Sequence, residues 1–126
     1  PGNIRINRDN FQGEIKPSQD RAFKQFESIQ YGYRAMFVNL GTYLQRGINT
    51  IDAIIRKWSP PVENHTEVYI CRVEKLSGVP RNKVLTNRSG MDFIKIVAAM
   101  SEVENGEPAD LLDVEEGFSM QTKITF

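Results

Sequence analysis

The residue with the strongest case for chemistry is Glu104. It closes the segment from Met91 to Gly106, which reads as one amphipathic helix stopped by a glycine. The apolar stripe of that helix runs through Phe93, Val97 and Met100, and Glu104 takes the next position on it. A carboxylate on a buried face is desolvated, which favours the neutral acid and raises its pKa. A glutamate of that kind beside a cleft is suited to act as a general acid. The acidic residues around it, Glu102, Glu107 and Asp110 among them, are expected to push its pKa further up. The same pattern has a plainer meaning if the helix frays at its last turn, because Glu104 then points into water. Spacing alone leaves both readings open.

Two further carboxylates have a case. Glu14 follows Gly13 in a turn-rich region, where a second carboxylate could face Glu104 across a cleft. Glu63 sits just before a helix N-terminus, where the dipole keeps a carboxylate ionised; fixing that helix end is its other role. Aromatic residues are plentiful near these positions, and Tyr31, Trp58 and Tyr69 could stack against sugar rings or simply fill the core. Other chemistries lack their residues. His65 is the only histidine and Cys71 the only cysteine, and their spacing matches no zinc site. There is no Gly-x-Ser-x-Gly elbow, P-loop or dinucleotide fingerprint. No metal and no cofactor is therefore expected. Cys71 falls within a predicted helix and reads as a small core residue, which leaves the redox compartment undecided.

The elements that must position these residues follow from periodicity. Residues 11–27 read as an irregular hairpin around the turn-rich Pro17-Ser18-Gln19-Asp20. A long central helix over about 29–46 carries Tyr33, Met36, Phe37, Leu40 and Leu44, with Ser28 as N-cap and Gly47 as stop. A short helix over 50–58 begins at the cap-like Asn49-Thr50 and ends before Pro60-Pro61. A third covers 64–77, with Asn64 and Glu67 at capping-box spacing and Gly78 at its end. Residues 79–88 read as a polar connection. The Glu104 helix covers 90–104, and a last helix covers 108–116, with Pro108 in its first turn and Gly117 at its close. Residues 118–126 form a tail. The sum is an α+β arrangement, mainly α-helical with a small N-terminal β-hairpin, in one domain over 1–117.

At 126 residues the chain is long enough to bury a core without disulfides. Sixteen basic and 16 acidic residues balance, which disfavours a dedicated nucleic-acid binder. No apolar run approaches a membrane span and no signal peptide is visible. The chain begins Pro1-Gly2-Asn3 without an initiator methionine, which leaves room for an upstream segment.

Several ordered stretches carry a family resemblance: Pro1-Gly2-Asn3-Ile4-Arg5, Phe23 to Ser28, Tyr31-Gly32-Tyr33-Arg34-Ala35-Met36, and Trp58-Ser59-Pro60-Pro61-Val62-Glu63-Asn64-His65-Thr66. Together they resemble a family of phage and prophage proteins often labelled virion structural proteins. Tyr33 and Ser59 stand where that pattern has isoleucine and alanine. The likeness covers roughly residues 1–106. A second, looser similarity is to bacterial glucosaminidases and lytic transglycosylases. In those lysozyme-like enzymes a helix ending in glutamate, with glycine soon after, precedes the hairpin. Here Glu104-Asn105-Gly106 closes such a helix at the other end of the chain, so the resemblance implies a circularly permuted lysozyme-like domain.

That resemblance implies cleavage of the β-1,4 glycan of peptidoglycan. Glu104 would be the general acid, Glu14 the second carboxylate and Glu63 its alternative, with Asn3, Tyr31, Trp58 and Tyr69 binding substrate. Hydrolytic and lytic mechanisms both remain open. The implied partners are glycan strands and other virion or delivery-system proteins, without nucleic acid or membrane. The implied location is the virion, or the bacterial cell wall and periplasm after delivery. The alternative is a non-catalytic virion or cell-wall-binding module that keeps the scaffold and has lost the reaction.

Overall fold

A computed structural model describes residues 28–59 and 62–121, apart from the side chains of Glu63 and Asn64. Five helices follow in order: α1 (Ile29–Gln45), α2 (Ile51–Trp58), α3 (Glu63–Ser77), α4 (Gly90–Asn105) and α5 (Leu111–Ser119). The described residues are therefore mainly helical and contain no strand. The β component expected from the sequence, the hairpin over 11–27, lies outside the described residues.

Local sequence accounts for most helix ends. The Ser28 hydroxyl accepts the N–H of Tyr31 and opens α1, and Thr50 accepts the N–H of Ala53 to open α2. Gly78 and Gly106 end α3 and α4 with φ of 73° and 76°, the left-handed conformation that glycine adopts without a Cβ clash. The start of α3 differs from expectation. The helix begins at Glu63 after an N-cap, Val62, that makes no side-chain capping bond. Glu67 does not close a capping box; it is engaged by two arginines instead. The last helix also differs. Asp110 caps it by accepting the N–H of Leu112, and the helix runs through Gly117 to Ser119.

Gly117 has a packing role. A Cβ there would lie 2.6 Å from Tyr33 Cβ and 2.9 Å from the Gln30 carbonyl oxygen. The missing side chain lets α5 lie directly on the α1 backbone. Gln30 donates to Asp113 at 2.7 Å, and the Phe37 and Phe118 rings meet edge to face at 5.0 Å. Contacts that advance in the same direction along both helices make α1 and α5 a parallel pair.

The core is continuous through Phe37, Leu40, Ile54, Ile70, Phe93 and Met100, all fully buried. Along α3 the buried positions are Thr66, Ile70, Val73 and Ser77, at helical spacing. Cys71 falls one step off that stripe and is exposed, so it is not the core residue its helix suggested.

The connection between α3 and α4 is more than a polar link. Val79 and Leu85 plug the core from it, and the Leu85 N–H donates to the Asn49 carbonyl at 2.7 Å. Between them Arg81 reaches Asp52 of α2 at 2.6 Å and Glu67 of α3 at 2.7 Å, while Arg56 bonds both same carboxylates at 3.2 and 2.7 Å. The Arg81 N–H also donates to Glu74 at 2.8 Å. Two arginines and two carboxylates thus fasten α2, α3 and the connection at one corner. Both carboxylates are held below their ordinary pKa, chiefly by the hydrogen bonds from Arg81.

Candidate functional site

Glu104 sits in the last turn of α4, and the helix does not fray there. Gly106 caps the helix through its N–H to the Glu102 carbonyl. The turn is anchored from within, because the buried Ser101 hydroxyl pairs with the Tyr33 hydroxyl and accepts from Asn105, each at 3.2 Å. The apolar stripe therefore continues inward at Glu104, as the burial reading requires.

Trp58, the last residue of α2, donates its indole N–H to Glu104 Oε1 at 3.3 Å. The other oxygen, Oε2, is buried and has no hydrogen-bond partner among the described residues. Burial raises the pKa of the carboxyl, and the Trp58 bond opposes this by favouring the ionised form. Removal from water lifts Glu104, as a place on the buried stripe implies; the further push expected from acidic residues near it in sequence is not among the causes.

Tyr69 of α3 completes the cluster. Its hydroxyl is also buried without a hydrogen-bond partner among the described residues. Its pKa is pushed far above the usual phenol range, first by burial and then by the negative charge of Glu104. A carboxyl, an indole and a phenol from three different helices are thus linked by one hydrogen bond and one electrostatic contact. Buried polar atoms are satisfied in the great majority of cases, and Glu104 Oε2 and the Tyr69 hydroxyl are two of four exceptions among the described residues, with Arg34 Nε and Gln121 Oε1.

The remaining candidates fall elsewhere. Tyr31 stands half-buried in the first turn of α1, its N–H on Ser28. Glu63 is the first residue of α3, and its side chain lies outside the described residues, as do Asn3 and Glu14. His65 is exposed in the first turn of α3. No group of three His, Cys, Asp or Glu side chains among the described residues could hold a metal ion. No helix among them is long and apolar enough to cross a membrane.

Spacing gave no sign of the Arg81 corner, because its four charged residues come from three separate segments. The convergence of Trp58 on Glu104, 46 residues apart, was equally invisible. An apolar groove of about 350 Å³ is also present, on the far side of α4 from Glu104, floored by Ala98 and Ala99.

The class these features define is a small helical domain with one buried acid at the junction of α2, α3 and α4. No protein-family model matches the chain. It is 33% identical over 123 residues to Protein P5 of Pseudoalteromonas phage PM2, an alignment that covers 94% of this chain and 75% of that protein. The chain belongs to the same family as this phage protein, which agrees with a resemblance to phage proteins.

Proposed function

We propose that this chain is a structural subunit of a phage particle. The observation that carries the reading is its relationship to a phage protein along nearly the whole chain. The side-chain chemistry fits. The charged corner at Arg81 serves to join helices, and Glu104, the one carboxyl among the described residues with a raised pKa, keeps its second oxygen inside the protein. A general acid must touch the leaving-group oxygen, and a buried Oε2 cannot do so without movement of the groups around it.

The reading is tested on particles of the phage or prophage that encodes the chain. After density-gradient purification, quantitative mass spectrometry should find it at a fixed ratio to the major coat protein. Absence from particles that retain infectivity would overturn the proposal. The virion is then its location, and other virion proteins are its partners.

A second reading, cleavage of the peptidoglycan glycan on a permuted lysozyme-like scaffold, is favoured by one observation. Glu104 has a pKa raised by burial, with the Trp58 indole hydrogen-bonded to it and the Tyr69 phenol within reach of its charge. Protonation of the glycosidic oxygen by Glu104 would be its first step. Under this reading the wild-type chain clears cell-wall suspensions and Glu104→Gln does not. Equal inertness of both proteins on several peptidoglycan types removes it and leaves the structural reading standing.

A further inference from the structure

The outer face of α4 carries a feature that neither reading uses. The groove on that face is lined by Leu76, Ala98, Ala99, Ala109 and Leu111, and has a volume of about 350 Å³. Leu76 and Leu111 are 42% and 54% exposed on its walls, and Met91, 65% exposed, stands two turns before Ala98 on the same helix. A connected apolar surface of this kind costs free energy in water until something covers it.

The charges beside the groove say what covers it. Lys95 and Glu102 line it and form no ion pair among the described residues. Seven positions apart on one helix, they are separated by roughly 10 Å and cannot pair with each other. They lie symmetrically about the midpoint of Ala98 and Ala99. A second α4 laid antiparallel across that midpoint would meet Lys95 with Glu102 of the second copy, and Glu102 with Lys95 of the second copy. A parallel arrangement would set like charges together and is disfavoured. Ala98, half-buried on this face, adds little bulk at the crossing, and the exposed Leu76 and Leu111 walls carry the apolar contact. The same register brings Met91 to the Gly106 end of the second copy, beside Ala109 and Leu111.

From this self-complementarity we infer that the outer face of α4 is a two-fold symmetric interface between two copies of this chain. Such an interface uses one patch twice, which is what an apolar groove with one lysine and one glutamate at mirrored positions supplies. The inference does not rest on the particle reading or on the Glu104 cluster.

Analytical ultracentrifugation of the full chain over a concentration series tests it. The wild type should form a dimer. Lys95→Glu and Glu102→Lys, each placing like charges at both crossings, should weaken it about tenfold or more. The double variant Lys95→Glu/Glu102→Lys should recover the wild-type dimer, and an equal mixture of the two single variants should form heterodimers. Met91→Glu, at an exposed position, should weaken self-association without lowering the melting temperature. A wild type that stays monomeric at every attainable concentration overturns the inference. So does a dimer indifferent to the charge reversals, which would form through another face, or a double variant that fails to recover.

Discussion

Trp58 Nε1 donates a hydrogen bond to Glu104 Oε1 at 3.3 Å, and this bond ties the last residue of α2 to the last turn of α4. It places an indole against the one glutamate among the described residues whose pKa is raised by burial. The bond satisfies one oxygen of the carboxyl and leaves Oε2 buried without a hydrogen-bond partner among the described residues. Burial disfavours the ionised form of Glu104, and the Trp58 hydrogen bond opposes this.

Trp58 is the only tryptophan of the chain, so its fluorescence reports on this contact directly. Titration of the emission should show a transition with a midpoint above the ordinary 4.5 of a glutamate, in the direction that burial imposes. Glu104→Gln should abolish the transition. A midpoint at or below 4.5 would mean that Glu104 is solvated in solution.

The stability of the protein should respond to the same proton. Burial raises the folded-state pKa of Glu104 above the unfolded 4.5, so the folded protein retains a proton that the unfolded chain releases. This contribution to stability is fully present below pH 4.5 and is lost as the pH rises through the folded pKa. Glu104→Gln removes the loss. Its melting temperature should equal or exceed that of the wild type at pH 8, by up to a few degrees, or about 1 kcal/mol. The two proteins should converge in acid. Clear destabilisation of the variant at pH 8 would show that the carboxylate form is the one the fold holds.

What the sequence made legible was what neighbours along the chain decide. Ser28, Thr50, Gly78 and Gly106 act within one helical turn of themselves, and their roles follow from local chemistry. The inward aspect of Glu104 was visible because Phe93, Val97 and Met100 define the face on which it falls. Legibility stopped where distant segments meet. Asn64 and Glu67 have capping-box spacing, yet Arg81 and Arg56 offer Glu67 charged donors, and these take its carboxylate. Gly117 resembled a helix stop because its local pattern does not reveal α1 lying against it. Cys71 was misplaced because a helical residue with a core-like side chain can still fall beside the buried stripe. For the candidate site, residue types drew attention to Trp58, Tyr69 and Glu104 separately, and only tertiary structure brings them together.

The Arg81 corner predicts an acid dependence of opposite sign. Asp52 is held below its ordinary 3.8, first by the hydrogen bond from Arg81 and then by that from Arg56. A depressed folded pKa contributes stability that is present above 3.8 and lost as the pH falls through the folded value. The side chains are partly exposed, with Arg81 at 25% and Asp52 at 27%, so solvent screening keeps the effect modest. Arg81→Met should lower the melting temperature at pH 7 by roughly 3–5 °C. The difference should shrink as the pH is taken below 3.8, where Asp52 of the wild type becomes protonated too. A difference that stays constant down to the acid transition would assign the effect to packing of the connection rather than to charge.

Gly117→Ala sets two opposing effects against each other. Within a helix, alanine is favoured over glycine by about 1 kcal/mol, and Gly117 lies inside α5. Against this, the added Cβ would sit 2.6 Å from Tyr33 Cβ, 2.9 Å from the Gln30 carbonyl oxygen and 3.0 Å from the Arg34 amide nitrogen. Two of those three atoms are α1 backbone, which cannot rotate away as a side chain can. Relief requires α5 to move off α1, which loosens the edge-to-face contact of Phe37 with Phe118 and lengthens the Gln30–Asp113 bond. Overpacking of this kind costs about 1–3 kcal/mol, enough to exceed the helix-propensity gain. The variant should melt several degrees below the wild type while keeping its far-ultraviolet circular dichroism. A variant more stable than the wild type would show that α5 does not rest on the α1 backbone in solution.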